Sequence, residues 1–142
     1  NVVCSFVKIK AEARSTDLGA LDAQIAHMKE RFEESAAKWG AEVRFDHARH
    51  YSSYDINSSS PVVKAAQQAS KNLGLDPILR TTLGGSDANI YNQKGVPSVV
   101  VATGMEKIHT HDEYISRPDL IKTAELSLEI LRVVSKMNRS DL

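Results

Sequence analysis

Residues 83–105 read LGGSDANIYNQKGVPSVVVATGM, and the order of punctuation within them decides the class of fold. Gly84-Gly85-Ser86 is a tight turn that opens a short helix, and Gly95 stops that helix. Val96 to Ala102 then forms a continuous branched run, expected of a strand buried on both faces of a helix-covered sheet. Towards the carboxyl end, Ser116-x-x-Asp119 resembles a capping box. It opens a last helix whose apolar stripe is expected to be Leu120, Ala124, Leu128, Leu131 and Val134. Upstream of the turn, Ile78 to Thr82 predicts a short strand. Before it, Ser60-Pro61 opens a helix carrying Val62, Val63, Ala66, Ala69 and Leu73, with Gly74 as its stop.

The hydrophobic pattern breaks at SSYDINSSSP, residues 52–61, where turn formers cluster; this is the best hinge or boundary in the chain. Before it, Val7, Ile9, Ala11 and Ala13 alternate with Lys8, Lys10, Glu12 and Arg14. A period of two predicts a strand with one buried and one polar face, Arg14 lying on the polar one. Ser15, Thr16 and Asp17 offer helix caps. Leu18, Leu21, Ile25, Met28, Phe32 and Trp39 follow as one apolar stripe on a helix closed by Gly40. Residues 42–51 predict a second strand. The order is βαβ, a hinge, then αβαβα: an α/β protein in which a small two-layer unit precedes a parallel α/β unit.

The remaining composition narrows the function. Among 142 residues, 18 basic and 18 acidic side chains cancel, so no broad cationic surface invites nucleic acid or anionic lipid. The longest apolar run is far short of a membrane span. One cysteine, Cys4, excludes an internal disulfide and a Cys-rich metal site, and fits a reducing, cytoplasmic compartment. Asn1-Val2-Val3 reads as the middle of a strand, and the chain is expected to be part of a longer one.

Chemistry is expected in the two loops that leave predicted strands at their carboxyl ends. In the second, His109-Thr110-His111-Asp112-Glu113 offers imidazole nitrogens and carboxylate oxygens suited to zinc, the alternative being a solvated polar turn. In an extended segment His109 and His111 would share a face. A catalytic zinc needs about three protein ligands, and this loop supplies one or two. The remainder is not evident elsewhere: His47 and His50 fit a charged exposed or interface face, and Asp55, Asp76 and Asp141 follow turn or terminus logic. In the first loop, Gly84, Gly85, Ser86 and Asp87 feed a helix N-terminus, where free N–H groups favour a carboxylate, or simply satisfy turn geometry. Arg14 is either a fork for a carboxylate or one half of an ion pair with Glu12 or Asp17.

Three segments in one order resemble a known family. They are NVV…KAEARS with the following LDAQIAHMKERFEESAAKWGAEV, then LGGSDANIYNQKGVPSVVVATGM, then IHTHDEYISRPDL. The family is that of the di-zinc metallopeptidases, which includes tripeptidase (peptidase T-like), carboxypeptidase G-like and succinyl-diaminopimelate desuccinylase enzymes, and the peptidase T-like branch is the closest. The resemblance implies a metal-assisted hydrolase of small peptides, working as a homodimer through a lid domain inserted into an α/β catalytic domain. Residues 1–54 would be the later half of the lid/dimerisation domain, and residues 55–142 the carboxy-terminal part of the catalytic domain. It maps the family's last zinc ligand onto His109, followed four residues later by Glu113, and gives His111 no counterpart. It maps the lid arginine that grips a substrate carboxylate onto Arg14, and the substrate-contacting turn onto Gly84, Gly85, Ser86 and Asp87. Leu83 stands where some members carry an arginine. The family's other metal ligands and its general-base glutamate have no counterpart here, so the chain alone is expected to be inactive. A non-catalytic dimerisation or peptide-binding module is the alternative.

Overall fold

The computed structural model describes residues 1–138, so Asp141 lies outside the described residues. The chain divides into two compact units, Asn1–Ser53 and Tyr54–Leu142.

The first unit is organised by one long helix, α1 (Leu18–Trp39). Asp17 is its N-cap, the carboxylate accepting from the Ala20 N–H at 2.8 Å. Gly40 ends it in the left-handed conformation at φ 65°, which a side chain would resist. Leu18, Leu21, Ile25, Met28 and Phe32 are half-buried, as their spacing predicts, but Trp39 is exposed with the Lys38 ammonium over its ring. Phe45 stacks on Phe32 with ring centroids 6.1 Å apart, and Arg49 forms an ion pair with Asp22. The segment containing both therefore runs back along α1 in the opposite direction.

In the second unit, α2 (Pro61–Asn72) and α4 (Arg117–Val134) pack together. Val63, Ala65 and Ala69 of α2 and Leu126 of α4 are buried, the alanines allowing close approach. Across this contact the Asn72 amide donates to Glu129 at 2.8 Å and holds that carboxyl below its ordinary range. The α2 helix closes in a Schellman motif, with Leu75 N–H donating to Ser70 C=O and Gly74 N–H to Lys71 C=O. Ser116 caps α4 by accepting from the Asp119 N–H, as its spacing predicts. Between them lies α3 (Asp87–Gln93), followed by a two-residue antiparallel ladder of β1 (Met105–Glu106) and β2 (Tyr114–Ile115).

Three expectations need correction. Residues 7–13, 42–51, 78–82 and 96–102 take part in no ladder; β1–β2 is the only one among the described residues. Alternation or a branched run marks a surface fit to pair, but a strand exists only where a second backbone lies about 4.8 Å away. None of these four segments finds one here. For the same reason Val96–Ala102 is not buried on both faces: Val100 is 58% exposed. Finally, the Leu120, Leu128 and Leu131 stripe of α4 faces outward, Leu131 at 67%, while Leu126 with half-buried Ile130 and Val133 forms the packed face. Helix α4 is apolar on two faces, and α2 occupies one of them.

Asn92 substitutes for a ladder partner at the start of residues 96–102. Its amide donates to Ala88 C=O (2.7 Å) and Ser98 C=O (2.8 Å) and accepts from Ser98 N–H (3.1 Å), clamping that segment to α3. Asn92→Ala leaves part-buried backbone groups unsatisfied and is expected to destabilise the second unit by about 2 kcal/mol in denaturant unfolding. An unchanged midpoint would show that water replaces the clamp.

Candidate metal and substrate site

The hairpin that carries His109 is seated on α4 at two points. Thr123 Oγ1 donates to Thr103 C=O at 3.0 Å, just before β1. Gly104 follows at φ 80°, and a Cβ there would lie 2.9 Å from Asp119 Cβ. Glycine is required on both counts, by the backbone angle and by the close approach. Gly104→Ala is accordingly expected to cost about 2–3 kcal/mol of unfolding free energy. A thermal melt indistinguishable from the parent would contradict this docking.

From that seat β1 and β2 hold the loop 107–113 in register, Glu106 opposite Tyr114. The loop is a series of turns. Lys107 (φ 50°) and His109 (φ 66°) both adopt the left-handed conformation, uncommon for side chains with a Cβ. Thr110 Oγ1 donates to Lys107 C=O at 2.7 Å, and Thr110 C=O accepts from Glu113 N–H at 3.3 Å. The Glu113 carboxylate accepts the His109 backbone N–H at 2.8 Å. His109 and His111 do not share one face of an extended segment, because the chain turns between Lys107 and Glu113. Both residues are exposed. The His109 imidazole makes no hydrogen bond to any described residue. A cavity of about 370 Å³ beside the hairpin is lined by Glu113, Met105, Tyr114 and, from α4, Leu120 and Thr123.

Glu113 is the residue that reading by type undervalued: among HTHDE it counts as one more oxygen donor, whereas the structure uses it on the backbone. The signal was its spacing, four residues after a histidine in a tight loop.

At the other loop, Ser86 is the N-cap of α3 and makes a capping box with Asn89, whose side chain accepts from Ser86 N–H at 3.0 Å. Asn89 is buried and fixes the turn; Gly84 N–H donates to Thr82 Oγ1 at 3.1 Å. Gly84, Gly85, Ser86 and Asp87 are themselves exposed. With residues 78–82 and 96–102 in no ladder, no sheet among the described residues brings this turn to the His109 loop.

Arg14 belongs to the first unit and is exposed. Its guanidinium is bonded to Glu12, which holds the Glu12 carboxyl below its ordinary range through the hydrogen bond first and charge second. Of the two roles left open for Arg14, the ion pair is the one formed here. A guanidinium has five N–H donors, and this bond uses one of them.

Among the described residues no group of three or more His, Cys, Asp or Glu is arranged to hold a metal ion. An accessible, unbonded imidazole suits one position in a zinc shell, but zinc takes three or four protein ligands. The donors among the described residues therefore form no such group by themselves.

Residues 4–133 match the model of the peptidase family M20/M25/M40. The chain belongs to that family. The chain is 38% identical over 136 residues to the uncharacterized protein YqjE of Bacillus subtilis (strain 168), covering 96% of this chain and 37% of YqjE. Among solved structures it is similar to a tripeptidase from Staphylococcus aureus subsp. aureus Mu50, with 36% identity and a TM-score of 0.76 over 87% of this chain and 33% of that one. It is also similar to the aminopeptidase PepT from Bacillus cereus ATCC 10987, with 37% identity and a TM-score of 0.67 over 84% and 32%. The chain thus spans about a third of the length of these relatives. M20 peptidases are generally metal-dependent. No helix among the described residues is long and apolar enough to cross a membrane.

Proposed function

We propose that this chain is the carboxy-terminal portion of a zinc-dependent aminopeptidase or tripeptidase-like hydrolase that cleaves amide bonds of small peptides. Residues 1–54 belong to its lid/dimerisation domain, through which a homodimer forms, and residues 55–142 to its catalytic domain. His109 is one zinc ligand. Zinc, when bound in such an enzyme, polarises the scissile carbonyl and lowers the pKa of water towards neutrality. Arg14 exchanges Glu12 for the substrate carboxylate, which its planar fork can take in a bidentate manner. Gly84, Gly85, Ser86 and Asp87 orient the peptide. The lone Cys4, exposed as a free thiol, suits a cytoplasmic setting.

The observation that carries the reading is the presentation of His109: its backbone is tied to Glu113 while its ring stays accessible and unbonded, on a hairpin anchored to α4. The test compares the intact protein with this 142-residue chain on tripeptides in the presence of zinc. The intact protein is expected to release the amino-terminal residue, and the chain alone to release none. Equal turnover by both would overturn the assignment of function to a larger ligand set. A natural reading frame that starts near Asn1 would favour a non-catalytic dimerisation or peptide-binding module instead.

A further inference from the structure

We infer that Glu113 is a positioning residue for His109, acting through the backbone N–H and not through the imidazole or as a further metal donor. Three observations carry this. First, the Glu113 carboxylate accepts the His109 N–H at 2.8 Å, a charge-assisted bond that closes the loop over five residues. Second, His109 is at φ 66°, a conformation that a residue with a Cβ adopts against a steric cost and keeps only where the surroundings over-determine it. Third, the rest of the loop closes around Thr110, which accepts from Glu113 N–H through its carbonyl and donates to Lys107 C=O through its hydroxyl. Glu113 is thereby held at its own backbone while its side chain holds His109. The arrangement fixes where the imidazole starts from and leaves both ring nitrogens available. A carboxylate bonded to the ring would instead select its tautomer and take one nitrogen, the usual outer partner of a metal-bound histidine.

The role at the backbone rests on the geometry alone; its consequence for zinc rests on the reading of His109 as a ligand. The two are separated by measuring both in the intact protein with Glu113 replaced by Ala, Gln and Asp. In the metal-free protein, hydrogen exchange at the His109 amide is expected to accelerate about tenfold in Glu113→Ala, a fold-change that matches loss of a single hydrogen bond. Glu113→Gln, which keeps an acceptor oxygen at the same reach, is expected to restore protection, and the shorter Glu113→Asp to fail. Zinc titrated into the same proteins is expected to bind about tenfold more weakly to the Ala and Asp variants and near parent strength to Gln. Unchanged amide exchange in Glu113→Ala overturns the inference, as does a Gln variant as impaired as Ala, which would mean that the charge acts on the ring or the metal. Altered exchange with unaltered zinc affinity leaves the positioning intact and removes His109 from the metal.

Discussion

Replacing His109 in the intact protein is expected to empty a zinc position and lower peptide hydrolysis by more than about a hundredfold, exceeding the loss usual for an outer partner of a ligand. The variant is favourable because the side chain is exposed and makes no hydrogen bond to any described residue, so its removal deletes no packing. Only the backbone at φ 66° complicates the choice. Alanine resists the left-handed conformation, at a local cost of roughly 1 kcal/mol, whereas asparagine tolerates it. His109→Asn should therefore keep the hairpin and the melting curve while losing zinc, and His109→Ala should lose zinc with a slight loss of stability. Metal content by elemental analysis and kcat for a tripeptide are the two measurements. If zinc content and rate are both unchanged in the two variants, His109 is a solvated turn residue and the hydrolase reading loses its only metal donor in this chain.

Local chemistry was legible from residue types; long-range pairing was not. Asp17, Gly40, Gly95 and Ser116 act where punctuation places them, because caps and left-handed turns depend on the few residues around them. The four expected strands depended on partners, which periodicity does not specify, and no described segment supplies them. Helix α4 shows the same limit: the spacing of Leu120, Leu128 and Leu131 describes an apolar face correctly, yet Leu126, Ile130 and Val133 describe another, and only packing against α2 decides between them. At the site, the ion pair of Arg14 with Glu12 was legible as one of two roles, and His109 as a candidate donor only. The left-handed turns at Lys107 and His109 were not, since neither residue type announces φ > 0. Nor was the bond from the His109 N–H to the Glu113 carboxylate, which depends on how the loop closes.

Prepared alone, the 142-residue chain is expected to self-associate at tens of micromolar, reaching at least the mass of a dimer by light scattering. Val2, Val3, Phe6, Val7 and Ile9 are exposed along a segment without ladder bonds, and Val2 reaches 95%. Such a segment presents apolar side chains together with N–H and C=O groups that no ladder engages, the combination that templates pairing with another chain. The outward face of α4 adds Leu120, Ile121, Leu128 and Leu131. The two sources differ in how they respond to charge. Lys at positions 7 and 9 (Val7→Lys with Ile9→Lys) opposes strand pairing, as flanking charges do on natural edges. Glu at 128 and 131 (Leu128→Glu with Leu131→Glu) opposes burial of the α4 face and leaves the amino-terminal segment untouched. If pairing of residues 2–9 dominates, as the proposed lid-mediated homodimer requires, the first double variant lowers the scattering mass and the second does not. The reverse result would move the contact to α4 and remove the support that these residues give to a lid-mediated homodimer. A monomeric parent chain would mean that the exposed apolar segments are tolerated in water, and the expectation would fail outright.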